Sequence, residues 1–542
     1  MKVVKRNGLV ELFDGEKIKS AVKKSAQRVN MIMSDEELKY LVFLVKKGLF
    51  GTKEVSVDIV HNLVEMSLDK INNSVSKSYK DYRNYKNEYG QYLMKDIEEQ
   101  VNETLHEVDR SNSNSNTRYI STKRTEIAQT FSKEMYQKMY LSKDVIKAIK
   151  DGFIYIHDIK DLLLPQFNCC LTDVGTILKG GFELEGYNYT EPKDVKTAIG
   201  QISDVVQIIS SQHYGGNTTP EIDKVIAPYY EKTINKLKEK YKAYGVADYE
   251  NVAIKDAYIE MKQALQGLEI KLNTVVSARG SYPFTTFSFG NCSNSYEKDV
   301  AKAILEVRME GHGEVGKKKN TIFPKLVFLH NEEKHCVGGE LEDLFNLAVK
   351  CSSKCMYPDY IGWNHRHEGK YISPMGCRAF LSDYRDENGE LVFTGRANIG
   401  AVSLNLPMIY QYNKTVGGTE EDFFKLLNYY LEMIRNLHLD RYEYLGKAKA
   451  SSNPLMFTQG GAYKGFLKPD DEIKPLLDSW TASFGVTALN ELEVLANGKR
   501  LAESTEFAKK VMTHINNMVD KFKEEDGKLY AIYNTPKLCG WV

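Results

Sequence analysis

The stretch Ser373-Pro374-Met375-Gly376-Cys377-Arg378 constrains the fold most sharply. Proline pins one backbone torsion and Gly376 opens torsions closed to other residues, so the six residues read as a tight, defined loop presenting one sulfur. A lone cysteine in a large chain is ordinarily a small buried hydrophobe. Two further stretches change that reading. In Asn168-Cys169-Cys170-Leu171, read as a strand, neighbouring side chains face opposite ways, so only one of the two cysteines can point to a given side. Their adjacency also disfavours a disulfide between them. The other stretch is Gly395-Arg396-Ala397-Asn398-Ile399-Gly400, followed by Ser403-Leu404-Asn405-Leu406-Pro407.

The 542 residues suffice for one large core and a small additional domain. Its 73 basic and 73 acidic side chains cancel, which argues against a nucleic-acid polymer or an anionic membrane as main partner. Nucleotides, which need only a local anion site, are not excluded. The N-terminus lacks the apolar run of a signal peptide, and no later stretch is long and apolar enough to span a bilayer. Eight cysteines without regular spacing suggest free thiols in a reducing cytosol. No Cys-x-x-Cys pair occurs, so no structural zinc site is recognisable and no metal ligands are assigned. Cys351 and Cys355 are one helical turn apart, but two ligands do not make a site.

Residues 1–90 read as a separate module. Val3 to Phe13 form a hairpin around Asn7-Gly8. Asp14 is placed to cap a helix starting near Glu16, with Val22 and Ala26 on its inner face. Residues 91–116 read as a linker, ending in the polar run Ser111-Asn112-Ser113-Asn114-Ser115-Asn116. The remainder, 117–542, is the larger domain. Within 197–275, Ile222, Val225, Ile226, Tyr229, Ile234, Leu237 and Tyr241 recur at helical steps. Pro228 is expected to kink or interrupt that helix. Strands are expected at Tyr282–Gly290 and Ile322–Phe328, and a helix at Glu340–Cys355.

Taken together, the loop of Cys377, the Cys169 strand and the Asn398 segment resemble the core of the anaerobic (class III) ribonucleoside-triphosphate reductases. Residues 1–90 resemble the ATP-cone, a regulatory domain at the front of many ribonucleotide reductases. The resemblance implies an α/β fold with a ten-stranded barrel behind an ATP-cone. It implies that Cys377 becomes a thiyl radical abstracting a hydrogen atom from the ribose, with Cys169 as its partner on the other face of the sugar. Met375 would be a soft neighbour of the radical loop, and Asn398 an amide near the sugar hydroxyls. A neutral amide there suits formate as reductant, since no second anion repels it. His157 is carried over from a motif in which relatives have a further histidine at the position of Tyr155. Lys5, Arg6, Glu11, Lys17 and Ser56 fall where the ATP-cone meets ATP or dATP. The helices of 197–275 would form a homodimer and a site for deoxynucleotide effectors. Ser403–Pro407 is the candidate neighbourhood for the substrate triphosphate.

The same resemblance implies partners. A radical S-adenosylmethionine activase would make a glycyl radical in an Arg-x-x-Gly-Tyr loop, which follows a structural zinc segment in the family. Neither that loop nor the zinc cysteines occur here, and Tyr533-Asn534-Thr535-Pro536-Lys537-Leu538-Cys539-Gly540 matches the start of that segment. The expectation is therefore a catalytic domain that works with a separate C-terminal glycyl-radical fragment and is inactive alone. The expected location is the cytoplasm, or the host cytoplasm for a phage protein. The alternatives are a catalytically inactive nucleotide-binding fragment and a glycyl-radical enzyme of the pyruvate formate-lyase type.

Overall fold

The structure, a computed structural model, describes residues 1–5, 10–29, 31–106, 115–362, 373–376 and 380–534, with backbone only at 84–96, 99 and 534. Arg6, the Asn7-Gly8 turn, residues 111–114, Cys377 and residues 535–542 lie outside them. The chain divides into two compact units, Met1–Glu103 and Thr104–Val542.

In the first unit, β1 (Lys2–Val4), β2 (Val10–Leu12) and β3 (Glu54–Ser56) form a sheet of order β2-β1-β3. β2 runs antiparallel and β3 parallel to β1. The helix Gly15–Arg28 starts where Asp14 accepts from Glu16 N–H at 2.9 Å. A capping box between Ser34 and Glu37 starts the next, Asp35–Gly48. Leu38, Leu41, Val42 and Val45 form the buried stripe of that helix. They meet Val22, Ala26, Val64 and Leu68 in one small core. A long helix, Asn73–His106, takes up much of the stretch that composition reads as linker.

In the second unit the strands are β4 (Ile154–Ile156), β5 (Cys170–Leu171), β6 (Phe182–Leu184), β7 (Tyr187–Tyr189), β8 (Asn217–Thr219), β9 (Thr285–Phe289), β10 (Lys325–His330), β11 (Asp359–Gly362), β12 (Arg396–Asn405), β13 (Thr481–Thr487) and β14 (Leu529–Asn534). β6 and β7 make a separate hairpin. The other nine form one sheet, ordered β11-β10-β9-β8-β5-β12-β13-β14 with β4 on β12, where the resemblance implies ten strands. β5 and β8–β11 are mutually parallel, as are β12–β14. The two sets meet antiparallel at β5 and β12.

Parallel neighbours need crossovers, and helices supply them. Ile222–Ala243 and Tyr249–Thr274 link β8 to β9, and Ser295–Glu310 links β9 to β10. Leu406–Thr415 and Glu420–Gly446 lie between β12 and β13. The helix Ile222–Ala243 runs through Pro228 without a break and buries Ile222, Ile226, Tyr229, Ile234 and Leu237.

Strand alternation gives the sheet two unlike faces. Cys170, Phe287, Phe289, Leu326, Phe328, Ala397, Ile399, Ala482 and Phe484 belong to the main hydrophobic core with the crossover helices. Each large side chain so buried contributes about 1.5–3 kcal/mol. Cys169, Thr218, Ser288, Asn398 and Ser483 stand on the opposite face, where small and polar residues prevail.

Candidate functional site

The second face is organised by the junction of β5 and β12. Asn168 N–H donates to Asn398 C=O and Asn398 N–H to Cys169 C=O, both at 2.8 Å, which sets Cys169 beside Asn398. The Cys169 thiol is buried, accepts from Gly216 N–H at 3.1 Å and donates to Asn168 Oδ1 at 3.2 Å. It packs with Leu171, Met375 and Leu381 in a cluster of their own. Cys170 faces the main core instead, with its sulfur 3.5 Å from Thr172 Oγ1 and 3.9 Å from His213 Nε2. Burial pushes its thiol up to about 12. The six described cysteines are all thiols.

Residues 373–376 lie against this face. Ser373 and Ser288 share a hydroxyl–hydroxyl bond of 2.6 Å. Thr218 Oγ1 donates to Pro374 C=O at 3.1 Å and accepts from Gly376 N–H at 3.3 Å. Met375 is fully buried. Gly376 takes φ +25°, open to glycine. Its close neighbour is Gly216, where a Cβ would come within 2.7 Å of Gly376 Cα. A Cβ on Gly215 would stand 2.5 Å from the Cys169 sulfur. The Gly215-Gly216 pair is thus the saddle on which loop and thiol meet, although sequence reasoning assigned its segment no individual roles.

Beyond Leu381, Arg396 holds the outgoing segment. Its buried guanidinium donates to the carbonyls of Ser479 at 2.8 Å, Val392 at 3.3 Å and Ser382. Burial lowers it to about 10.

Asn398 sits at a bulge, where the β12–β13 register shifts between Asn398 and Gly400. Its Oδ1 accepts from Gly400 N–H at 2.9 Å and its Nδ2 donates to Ser483 Oγ at 2.6 Å. A glycine inside a strand is a signal for such a bulge. No signal within the sequence points to Ser483, which lies on another strand.

Further along β12, Ser403 Oγ is 2.6 Å from His157 Nε2. Burial lowers the imidazole to about 4, so it is neutral at physiological pH. Tyr155 meets His157 edge-on at 4.9 Å. Ser403 is therefore engaged with histidine. Asn405 caps the helix Leu406–Thr415, accepting from Met408 N–H at 3.3 Å. The triphosphate neighbourhood expected at Ser403–Pro407 is thus partly occupied by its own side chains. The helix Leu489–Asn497, at the end of β13, has no side-chain cap.

In the first unit, Glu11 bridges two lysines, accepting from Lys5 Nζ at 2.6 Å and Lys17 Nζ at 2.7 Å. Those hydrogen bonds hold its carboxyl down at about 2. Ser56 pairs in register with Val4, next to Lys5, and caps the helix Val57–Ile71. Among the described residues, no group of three His, Cys, Asp or Glu could hold a metal, and no helix is long and apolar enough to cross a membrane.

The family model described as anaerobic ribonucleoside-triphosphate reductase matches residues 111–537, and that of the ATP cone domain matches 1–88. The chain is 30% identical to the anaerobic ribonucleoside-triphosphate reductase of Escherichia coli K12, over 99% of this chain and 77% of that one. It is 32% identical to the reductase of the same name from Enterobacteria phage T4, over 82% of this chain and 74% of that one. Among solved structures, the anaerobic ribonucleotide reductase from Thermotoga maritima in complex with dATP and CTP superposes with a TM-score of 0.54 at 16% identity, covering 82% of this chain and 75% of that one. A second anaerobic ribonucleotide reductase gives 0.57 at 16% identity, covering 81% and 69%. These likenesses show the fold.

Proposed function

The chain belongs to the anaerobic ribonucleoside-triphosphate reductases, and from that premise we propose that it makes deoxyribonucleoside triphosphates on the sheet face that carries Cys169 and Asn398. The observation that carries this reading is their juxtaposition against the loop of residues 373–376, which leads directly into Cys377.

Removal of a ribose hydroxyl goes through a radical at the neighbouring sugar carbon. A thiyl radical at Cys377 takes that carbon's hydrogen atom, the hydroxyl leaves as water after protonation, and the hydrogen is later returned. A thiyl radical is uncharged, so a buried site imposes no ionic desolvation cost on it. Cys169 works from the other side of the sugar, and Met375 shields the loop. The amide of Asn398 keeps one N–H and one carbonyl lone pair for the sugar oxygens after its bonds to Ser483 and Gly400. Formate supplies the two electrons. Ribonucleoside triphosphate, formate and a proton give deoxyribonucleoside triphosphate, carbon dioxide and water. The radical itself comes from a backbone glycyl radical generated by a radical S-adenosylmethionine activase, in the cytoplasm.

Regulation is read onto two further places. Lys5, Arg6 and Lys17, with Glu11 and Ser56, form the ATP and dATP site of the first unit. Supporting this, Lys5 and Lys17 converge on one carboxylate, a position a phosphate could share. We assign a homodimer and its deoxynucleotide effector site to the helices Val195–Ser210 and Tyr249–Thr274. Between them lies a groove of about 700 Å³ lined by Gly200, Ser203, Asp204, Gly267 and Lys271.

The test is deoxycytidine triphosphate formation by the activated enzyme. Cys377→Ser and Cys169→Ser are each expected to abolish it while calorimetric ATP binding persists. Turnover by Cys377→Ser would overturn the reading.

A further inference from the structure

Ser483 of β13 belongs to no part of the reading above except as a partner of Asn398. It is 2% exposed. Its backbone is held on three sides, by β12, by β14, and by His438, whose Nε2 lies 3.1 Å from the Ser483 carbonyl. Burial lowers His438 to about 4, so this imidazole is neutral and donates. The hydroxyl therefore stands on a fixed base. Ser483 Oγ accepts from Asn398 Nδ2 at 2.6 Å, and among the described residues the hydroxyl hydrogen meets no acceptor.

The bond matters because of where Asn398 sits. At the bulge, Gly400 N–H takes Oδ1 and so decides which end of the amide points which way. One contact still leaves the amide plane free to swing about that oxygen. A second contact, at the nitrogen, removes the swing. The remaining N–H and lone pair then have one direction each.

Resting on the functional reading above, we propose that Ser483 is a positioning residue for the reduction, its hydroxyl locking the Asn398 amide in the orientation that meets the sugar. The oxygen on the carbon that loses its hydrogen changes towards a carbonyl as the radical forms and the neighbouring hydroxyl departs. A pre-set N–H donor serves that changing oxygen better than the starting alcohol, so the benefit falls on the rate of the chemical step rather than on substrate binding.

The experiment compares Ser483→Thr with Ser483→Val in the activated enzyme, since these side chains share a shape and differ in the hydroxyl. Ser483→Ala serves as a smaller control and Asn398→Ala as a control for the site. Loss of one hydrogen bond to a buried amide predicts that the valine variant loses about 10–100-fold in kcat. Its KM for cytidine triphosphate should stay within about threefold. The threonine variant should recover most of the rate, with both melting within a few degrees of the parent. Wild-type kcat in Ser483→Val, beside an inactive Asn398→Ala, would overturn this inference and leave the functional reading standing. Equal losses in the threonine and valine variants, tracking a fall in melting temperature, would also overturn it, because the hydroxyl would then be irrelevant. Full activity in Asn398→Ala would instead remove the site reading on which the inference rests.

Discussion

The two regions that carry the candidate side chains are built on opposite principles. In the first unit the described candidates Lys5, Glu11 and Lys17 are charged and solvent-accessible, and Glu11 is shared between the two lysines. Such a cluster attracts a polyphosphate through charge, and salt screens it. On the loop face of the large sheet, the described candidates are Cys169, Asn398, Met375 and Ser483, all buried and all uncharged. Position there is set by backbone contacts and paired hydroxyls rather than by ions. Anion binding needs the first design. The radical chemistry proposed for this face needs the second, since a fixed charge would be costly to bury.

The largest effects should therefore come from the buried face. Cys169→Ser is expected to lower deoxynucleotide formation by at least about 10³-fold, because a hydroxyl cannot take part in hydrogen-atom exchange as a thiol does. Cys170→Ser, on the core face, should keep kcat within about threefold. Equal losses at the two would erase the distinction between the faces. Next comes Gly216→Ala. Its methyl would press on Gly376 Cα at 2.7 Å, where backbone rather than a flexible side chain must yield. Overpacking of this kind costs about 1–3 kcal/mol. A loop displaced by an ångström costs about 10²-fold in rate. Gly180→Ala has nothing within 4 Å and is the matched control.

The facing of the cysteines was legible because alternation along a strand is local, and Asp14 was legible as a cap for the same reason. The contacts that orient the site were not. Asn398 and Ser483 are 85 residues apart, and His157 and Ser403 are 246 apart. Chain order carries no trace of either pairing. Gly215 and Gly216 carry no role in the sequence, and what they provide is room for a thiol and a second backbone. Polar composition suggested a linker at 91–116, but Lys95, Glu98, Glu99 and Gln100 are also good helix formers, and the helix runs to His106. Pro228 falls in the second turn of its helix, so it forfeits one early hydrogen bond and the helix continues.

In the first unit, Lys17→Ala should weaken ATP binding about tenfold, the value of one charge-assisted hydrogen bond. That loss should shrink as salt is raised, whereas the Ser483 and Gly216 effects on turnover should not change. A salt-independent Lys17 effect would mean that charge is not what the first unit uses.

The smallest expected effect is on stability in acid, and it separates the two regions by pH. Burial lowers His157 from 6.5 to about 4, so the folded chain resists a proton that the unfolded chain accepts. Stability from this source is whole above pH 6.5 and is lost as pH falls towards 4. Glu11 is lowered from 4.5 to about 2 by its two lysines, so its contribution is whole above pH 4.5 and is lost as pH falls through 2. Denaturant titrations of the full chain at pH 7 and pH 5 lie in the first window and outside the second. His157→Gln, which keeps a polar partner for Ser403, should reduce the loss between those pH values by about 2 kcal/mol. Glu11→Gln should leave it unchanged. The same protonation state bears on turnover, because a neutral His157 titrates too low to appear in the kcat profile between pH 6 and 8. A kcat inflection near pH 6.5 that disappears in His157→Gln would place a charged imidazole on the loop face and break the contrast between the two regions.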